Sequence, residues 1–321
     1  MIVTKDMVHG DLRSRFRTLS ALRLVFGNRV LVSALNALVK RTYRGRDIDG
    51  LVCGEILVPG HDGTTRIRTR IYRPSDHDGD LPAMLYIHGG GYISGIPEQA
   101  ANEIRRFIET RPCVVIAPDY RLALEAPYPA AFDDCYDTLL WVRDNAQQLG
   151  INPDRIIVAG HSAGGGLTAA VTLKARDTGD VKIAFQMPIY PMIDDTQPDD
   201  PAREILGGTW DSRTNRFGWQ QYLRDLRARG QDIPAHAAPA RNQDYSGFPP
   251  TISFVGTIEP FYPETVTYIE ALKAAGIDTR FEAFEGCFHG FEIVAADTPI
   301  GQRGQRFTYD SYADFYDAYA T

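Results

Sequence analysis

Gly160-His161-Ser162-Ala163-Gly164 sets a serine between two glycines, each two residues away. Arg155–Ala159 just before it reads as a short buried strand, and Leu167–Ala175 just after it reads as a helix. A serine in so tight a strand-to-helix turn has its hydroxyl lifted above the sheet, and only glycine fits beside it. The chemistry this suits is nucleophilic attack. A serine hydroxyl is a poor nucleophile at neutral pH, so it needs a base to take its proton and an acid to orient that base.

A strand, G-x-S-x-G and a helix make the nucleophile elbow of the α/β-hydrolase fold, where the partners follow in the order serine, acid, histidine. The chain has seven histidines, at 9, 61, 77, 88, 161, 236 and 289. His289, in Cys287-Phe288-His289-Gly290-Phe291, lies after the last expected strand, on a loop and in the right order. The acid should follow the strand before it, Thr251–Val255, whose end reads Gly256-Thr257-Ile258-Glu259-Pro260. Glu259 is therefore the expected acid. Asp194 and Asp195 follow an earlier strand, Glu264 suits the start of the next helix, where a negative charge meets the dipole, and Glu285 and Glu292 lie close to His289 in sequence.

Acyl transfer also needs backbone N–H groups aimed at the developing oxyanion. One should come from Ala163, after the nucleophile. The others should come from His88-Gly89-Gly90-Gly91, straight after the strand Met84–Ile87, because glycines let the backbone approach the substrate oxygen. Gly90 is the first choice, with Gly89 or Gly91 beside it. His88 is read as holding this loop, and Tyr92, His161 and Phe261 as substrate contacts.

These groups need a frame. Residues 11–42 carry two helical patterns, one with Leu12, Phe16, Leu19 and Leu22 on a face, the other with Val30, Leu31, Ala34, Leu35 and Leu38. Cys53–Val58 and Thr65–Tyr72 read as a hairpin, the second strand alternating Ile67 and Ile71 with Arg66, Arg68 and Arg70. Strands then alternate with helices. Ala100–Glu109 is an expected helix, Cys113–Ala117 a strand, Phe132–Gln148 a long helix and Ile183–Pro188 a strand. Residues 194–250 break the rhythm with Pro, Asp, Gly and Arg and hold one clear helix, Phe217–Arg229. The alternation resumes with Thr251–Val255, Glu264–Ala275, Arg280–Phe284 and a last helix near Tyr309–Tyr319. Such alternation implies a mostly parallel central sheet with helices on both faces, which places its chemistry at the carboxyl ends of the strands. The expected division is a catalytic α/β body of residues 46–193 and 246–321 under a helical cap of residues 1–45 and 194–245.

The chain of 321 residues has 44% hydrophobic and 23% charged residues and a net charge of −7. That is ordinary for a globular protein and argues against nucleic-acid binding. Residues 1–50 hold ten Lys/Arg against four Asp/Glu, which reads as a solvated basic helix face. The N-terminus has no apolar signal core, and no apolar run approaches the ~18 residues of a membrane span, so no stable membrane insertion is expected. Cysteines at 53, 113, 135 and 287 include no C-x-x-C pair and suit reduced thiols in a cytoplasmic enzyme.

Four blocks together resemble the hormone-sensitive-lipase family of α/β-hydrolase esterases: His88-Gly89-Gly90-Gly91, Pro118-Asp119-Tyr120-Arg121-Leu122-Ala123, Gly160-His161-Ser162-Ala163-Gly164-Gly165, and His289-Gly290-Phe291. Their order and spacing match over roughly residues 50–300. The resemblance implies a serine carboxylesterase for a small-molecule ester with a short to medium acyl chain. It also implies a helical cap and neither cofactor nor metal. In this family Asp119 and Arg121 pin the loop after the fourth strand, and homodimers are common. The chain departs from the family at His161, where Asp is usual, at Glu259-Pro260-Phe261, where Asp-Pro-Leu is usual, and at Leu124, where Pro is usual. An amidase, lactonase or deacetylase would use the same triad. A binding protein on this scaffold is the other alternative, exemplified by the plant gibberellin receptor, which lacks the catalytic histidine. Trp210, Phe217, Trp219, Tyr222, Phe261 and Tyr262 are candidates for an aryl pocket.

Overall fold

The apolar runs of the sequence become the inner strands of one sheet. The computed structural model describes residues 1–321 except Leu22 and Asp78, and the side chains of Arg17 and Leu24 are also outside the description. Leu22, expected on the first apolar helix face, is thus outside the described residues.

Among the described residues eight strands are ordered β1-β2-β4-β3-β5-β6-β7-β8. They are β1 (Leu51–Pro59), β2 (Arg66–Pro74), β3 (Leu81–Ile87), β4 (Val114–Pro118), β5 (Ile151–His161), β6 (Ile183–Ile189), β7 (Thr251–Gly256) and β8 (Thr279–Phe284). β1 and β2 form the expected hairpin, β2 runs antiparallel to β4, and every other pair is parallel. All of β3 and β4 is buried, as parallel strands covered on both faces must be. The register sets Ile87 beside Gly160, and Gly160 beside Pro188. The ends of β3, β5 and β6 therefore meet at one point.

The helix after β5, Ala163–Thr178, is buried from Ala163 to Leu173. A helix apolar on all sides belongs in a core, and Gly164 lets it press against β3. A Cβ on Gly164 would stand 2.0 Å from the Ile87 carbonyl oxygen.

Several elements differ from their expected forms. The long helix expected at Phe132–Gln148 is two, Ala130–Asp144 and Ala146–Leu149. The insertion helix begins earlier, at Ser212, because the Asp211 carboxylate caps the N–H groups of Arg213 and Thr214; it ends at Tyr222, and Arg224–Ala228 is separate. The last helix runs Pro299–Tyr319, a full ten residues longer at its start. Thr298 caps it and Pro299 sits in its first turn, a start signal obscured by Gly301 and Gly304. Gly304 allows the close approach to Phe291 and Glu292.

The polar positions of β2 are not all at the surface. Arg68 and Arg70 are 6% and 5% exposed, not on a solvent face. The Arg68 guanidinium pairs with Glu98, with Glu55 at 2.8 Å and with Asp119 at 3.1 Å. The segment Pro97–Ala100 covers the strand, and Glu98 supplies the charge that burial of an arginine demands.

The N-terminal segment and the insertion pack on one another at the carboxyl end of the sheet. Val3 N–H donates to Leu206 O at 2.9 Å, Gly208 N–H to Ser20 Oγ at 3.2 Å, and the rings of Phe26 and Trp210 lie 5.6 Å apart. Asn36 donates to Ile93 O at 2.9 Å, which ties the helix Arg29–Tyr43 to the loop after β3.

Candidate active site

Ser162 stands between β5 and its helix with φ +60° and ψ −121°. Non-glycine residues adopt positive φ rarely and under strain. The strain is held by neighbours. Ser162 N–H donates to Ile189 O at 3.0 Å, and Ser162 O accepts from Gly166 N–H at 2.9 Å and Met192 N–H at 3.0 Å. Tyr92 and Tyr190 are the other non-glycine residues with positive φ among those described.

His289 Nε2 lies 2.9 Å from Ser162 Oγ, and His289 Nδ1 is hydrogen-bonded to Glu259 Oε2. Ser162 and His289 are separated by 127 positions, so only the sheet brings them together. Glu259 is fully buried, and its other oxygen accepts from Gly256 N–H at 2.8 Å. A carboxylate at Nδ1 fixes that nitrogen as the donor and leaves Nε2 free to accept the serine proton. Two rings hold the imidazole edge-on, Tyr190 at 4.7 Å and Phe261 at 5.0 Å. Thr209 of the insertion donates to His289 O, so the 194–245 segment holds the histidine loop directly. Sequence reasoning had no signal for this contact, because Thr209 belongs to an irregular stretch.

Gly89-Gly90-Gly91 wraps the other side of the serine. Gly90 has φ +124°, and a Cβ there would meet Ser94 O at 1.9 Å. The backbone N–H groups of Gly89, Gly90, Gly91 and Ala163 have no hydrogen-bond partner among the described residues. That is the state expected of donors reserved for a ligand oxygen. His88 donates from Nδ1 to Gly89 O at 2.8 Å and stacks 4.2 Å from Tyr120, whose hydroxyl donates to His88 O at 2.9 Å. Asp119 and Arg121 have separate partners, Arg68 and Asp134.

These groups open into a cavity of about 380 Å³, mostly apolar, with Phe26, Leu35, Trp210, Ile293 and Val294 on its walls. His161 also lines it. The imidazole shares a 2.9 Å hydrogen bond with the Tyr86 hydroxyl on β3. Burial, and then the nearness of His289, pull its pKa down to about 3, so it is neutral at physiological pH.

Two expected substrate contacts are corrected. Tyr92 does not line the cavity. Its hydroxyl donates to Met192 O at 2.7 Å and its ring stacks on Tyr222 at 4.0 Å, which turns it away into the insertion. Phe261 is fully buried behind His289. Of the aromatic residues considered for an aryl pocket, Trp210 lines the cavity, whereas Trp219 and Tyr222 are buried in packing.

Glu292, placed by the sequence only near His289, is paired with Tyr190. The Tyr190 hydroxyl donates to Glu292 Oε1, and burial pushes the Glu292 carboxyl up to about 8. Cys287 is buried, and burial pushes its thiol well above the ordinary value. Among the described residues no cluster of three or more His, Cys, Asp or Glu side chains is arranged to hold a metal ion, and no helix is long and apolar enough to cross a membrane.

Residues 84–293 match the family model described as the alpha/beta hydrolase fold. The chain is 35% identical over 252 residues to carboxylesterase NlhH of Mycobacterium tuberculosis, covering 75% of this chain and 76% of that protein. It is 32% identical over 224 residues to an arylesterase of Saccharolobus solfataricus, covering 69% and 72%. In solved structures it is similar to a bacterial heroin esterase, with a TM-score of 0.87 and 30% identity over 98% of this chain and 99% of the other. The strand order, the elbow and these relatives agree, and the chain belongs to the α/β-hydrolase fold family, in its hormone-sensitive-lipase branch of esterases.

Proposed function

We propose that this protein is a serine carboxylesterase that hydrolyses small-molecule esters of short to medium acyl chains through an acyl-enzyme. What supports the reading most is the pairing of Ser162 Oγ with His289 Nε2 at 2.9 Å, backed by buried Glu259 and facing unpaired glycine N–H groups. The names of the relatives, a carboxylesterase and an arylesterase, point the same way.

In the proposed reaction His289 Nε2 takes the serine proton as Oγ attacks the ester carbonyl. The negative charge that forms on the carbonyl oxygen is met by the N–H groups of Gly90 and Ala163, with Gly89 or Gly91 beside them. His289 then carries both protons, and Glu259 steadies the imidazolium. The imidazolium gives its proton to the departing alkoxide, which leaves as the alcohol. Water, deprotonated in turn by His289, attacks the acyl-enzyme and returns Ser162 to its starting state.

The cavity of about 380 Å³, with Trp210 and Phe26 on its walls, supports short or aryl ester groups over long chains. The N-terminal helices and the 194–245 segment act as the cap, because both contribute to that wall. The four cysteines, all unpaired, are in keeping with a reducing cytoplasm.

The test is a series of initial rates on p-nitrophenyl esters from acetate to palmitate, run with wild type and Ser162→Ala. A rate that peaks at short chains and disappears in the variant is expected. Unchanged hydrolysis by Ser162→Ala would end this reading, and a preference for matched amides would replace the ester assignment.

A further inference from the structure

The cavity beside Ser162 has one charged wall. Glu103, on the helix Ala101–Thr110, is the sole carboxylate among its described lining residues, and neither lysine nor arginine lines it. The side chain is half-buried and has no hydrogen-bond or ion-pair partner among the described residues. Arg106 on the same helix acts on Glu103 through its charge, which opposes the effect of burial, but its guanidinium is hydrogen-bonded to Gln305 and lies over the Tyr309 ring at 4.2 Å.

An unpaired carboxylate on an apolar wall is costly to keep without purpose. Burial raises the Glu103 pKa, and its charge in turn helps to raise Tyr86, Tyr309 and Glu292, after burial itself. Glu103 and Tyr86 both line the cavity, and the Tyr86 hydroxyl is bonded to His161 next to the nucleophile. This end of the cavity offers a negative charge and aromatic faces, and Arg106, the cation whose charge reaches Glu103, does not line it. A ligand group that would gain most here is a cation, which brings charge-assisted hydrogen bonds to the carboxylate and sits well against tyrosine rings.

We propose that Glu103 is a specificity-determining residue that favours esters carrying a protonated amine, and disfavours esters carrying a second carboxylate. The idea rests on the esterase reading above. Glu103 takes no part in the bond-making steps.

The test compares kcat/KM for isosteric pairs at pH 8. On the alcohol side the pair is 2-(dimethylamino)ethyl acetate and 3-methylbutyl acetate. On the acyl side it is the ethyl esters of 4-(dimethylamino)butyrate and 5-methylhexanoate. In at least one pair the cationic ester should lead, and Glu103→Gln should cut that lead about tenfold or more, the usual worth of a hydrogen bond to a charged group. Glu103→Asp, which keeps the charge, should retain most of it. A wild type that cleaves both members of each pair equally well, or better when neutral, overturns the proposal without recourse to any variant. A lead that survives in a folded Glu103→Gln protein overturns the role of Glu103. If no ester of any kind is cleaved, the esterase reading fails instead, and the two failures are told apart by turnover of the neutral members.

Discussion

Replacing Glu259 with glutamine tests how the site fixes its histidine. The side chain keeps its size but exchanges a carboxylate oxygen for an NH2 group. Both oxygens of Glu259 are in use, one accepting from Gly256 N–H at 2.8 Å and the other from His289 Nδ1. An amide has one oxygen for these two donors. If that oxygen serves Gly256, its NH2 faces His289 Nδ1 and forces the ring to carry its proton on Nε2, where it cannot accept from Ser162. If the oxygen serves His289, two N–H donors face each other in a fully buried place, and the imidazolium also loses its counter-charge. Either way kcat should fall by about 10³–10⁴-fold, or roughly 4–5.5 kcal/mol of barrier. KM should change little, since Glu259 does not line the cavity. The assay is steady-state hydrolysis of p-nitrophenyl acetate, with circular dichroism to show that the fold survives. A kcat within tenfold of wild type would refute the reasoning, and so would a loss confined to KM.

Other expectations follow from single contacts. Gly164→Ala puts a methyl group 2.0 Å from Ile87 O, between β3 and the elbow helix, and should yield protein that is insoluble or inactive when purified. Glu98→Gln takes the buried carboxylate from the Arg68 guanidinium but leaves Glu55 and Asp119 as its counter-charges, and should cost about 1.5–3 kcal/mol in urea unfolding. Glu292 has its folded pKa raised from 4.5 to about 8, so the folded protein binds this proton more tightly than the unfolded chain does. The stability it contributes is whole below about 4.5 and is lost as pH rises through about 8, at up to about 1.36 kcal/mol per pH unit. Melting temperatures should therefore fall more steeply from pH 5 to pH 8 in wild type than in Glu292→Gln; equal slopes would rule this out.

The sequence carried the site more fully than its surroundings. Gly160, Ser162 and Gly164 are legible because a tight turn admits few residue types, and His289 and Glu259 because chain order narrows the choice after each strand. The inner strands were legible because β3 and β4 are apolar without interruption. The burial of Arg68 and Arg70 was not legible, because alternation marks two faces but does not say what covers the second, and Glu98 lies thirty positions from Arg68. Tyr92 misled for a related reason: its place beside the glycine loop is close in sequence, but a positive φ turns the ring into the insertion. Glu103 gave no signal at all, since a glutamate in Asn102-Glu103-Ile104-Arg105-Arg106 reads as an ordinary helix surface until the fold points it at the cavity.

The claim that Ser162 is an activated nucleophile is met most directly by covalent labelling. Purified protein would be treated with a dialkyl phosphorofluoridate and its intact mass and peptides measured. An activated Ser162 takes up one phosphoryl group per chain, on the peptide holding Ser162, with none on Ser162→Ala and much slower labelling of His289→Ala. An unlabelled wild type, or a label on another residue, would contradict it.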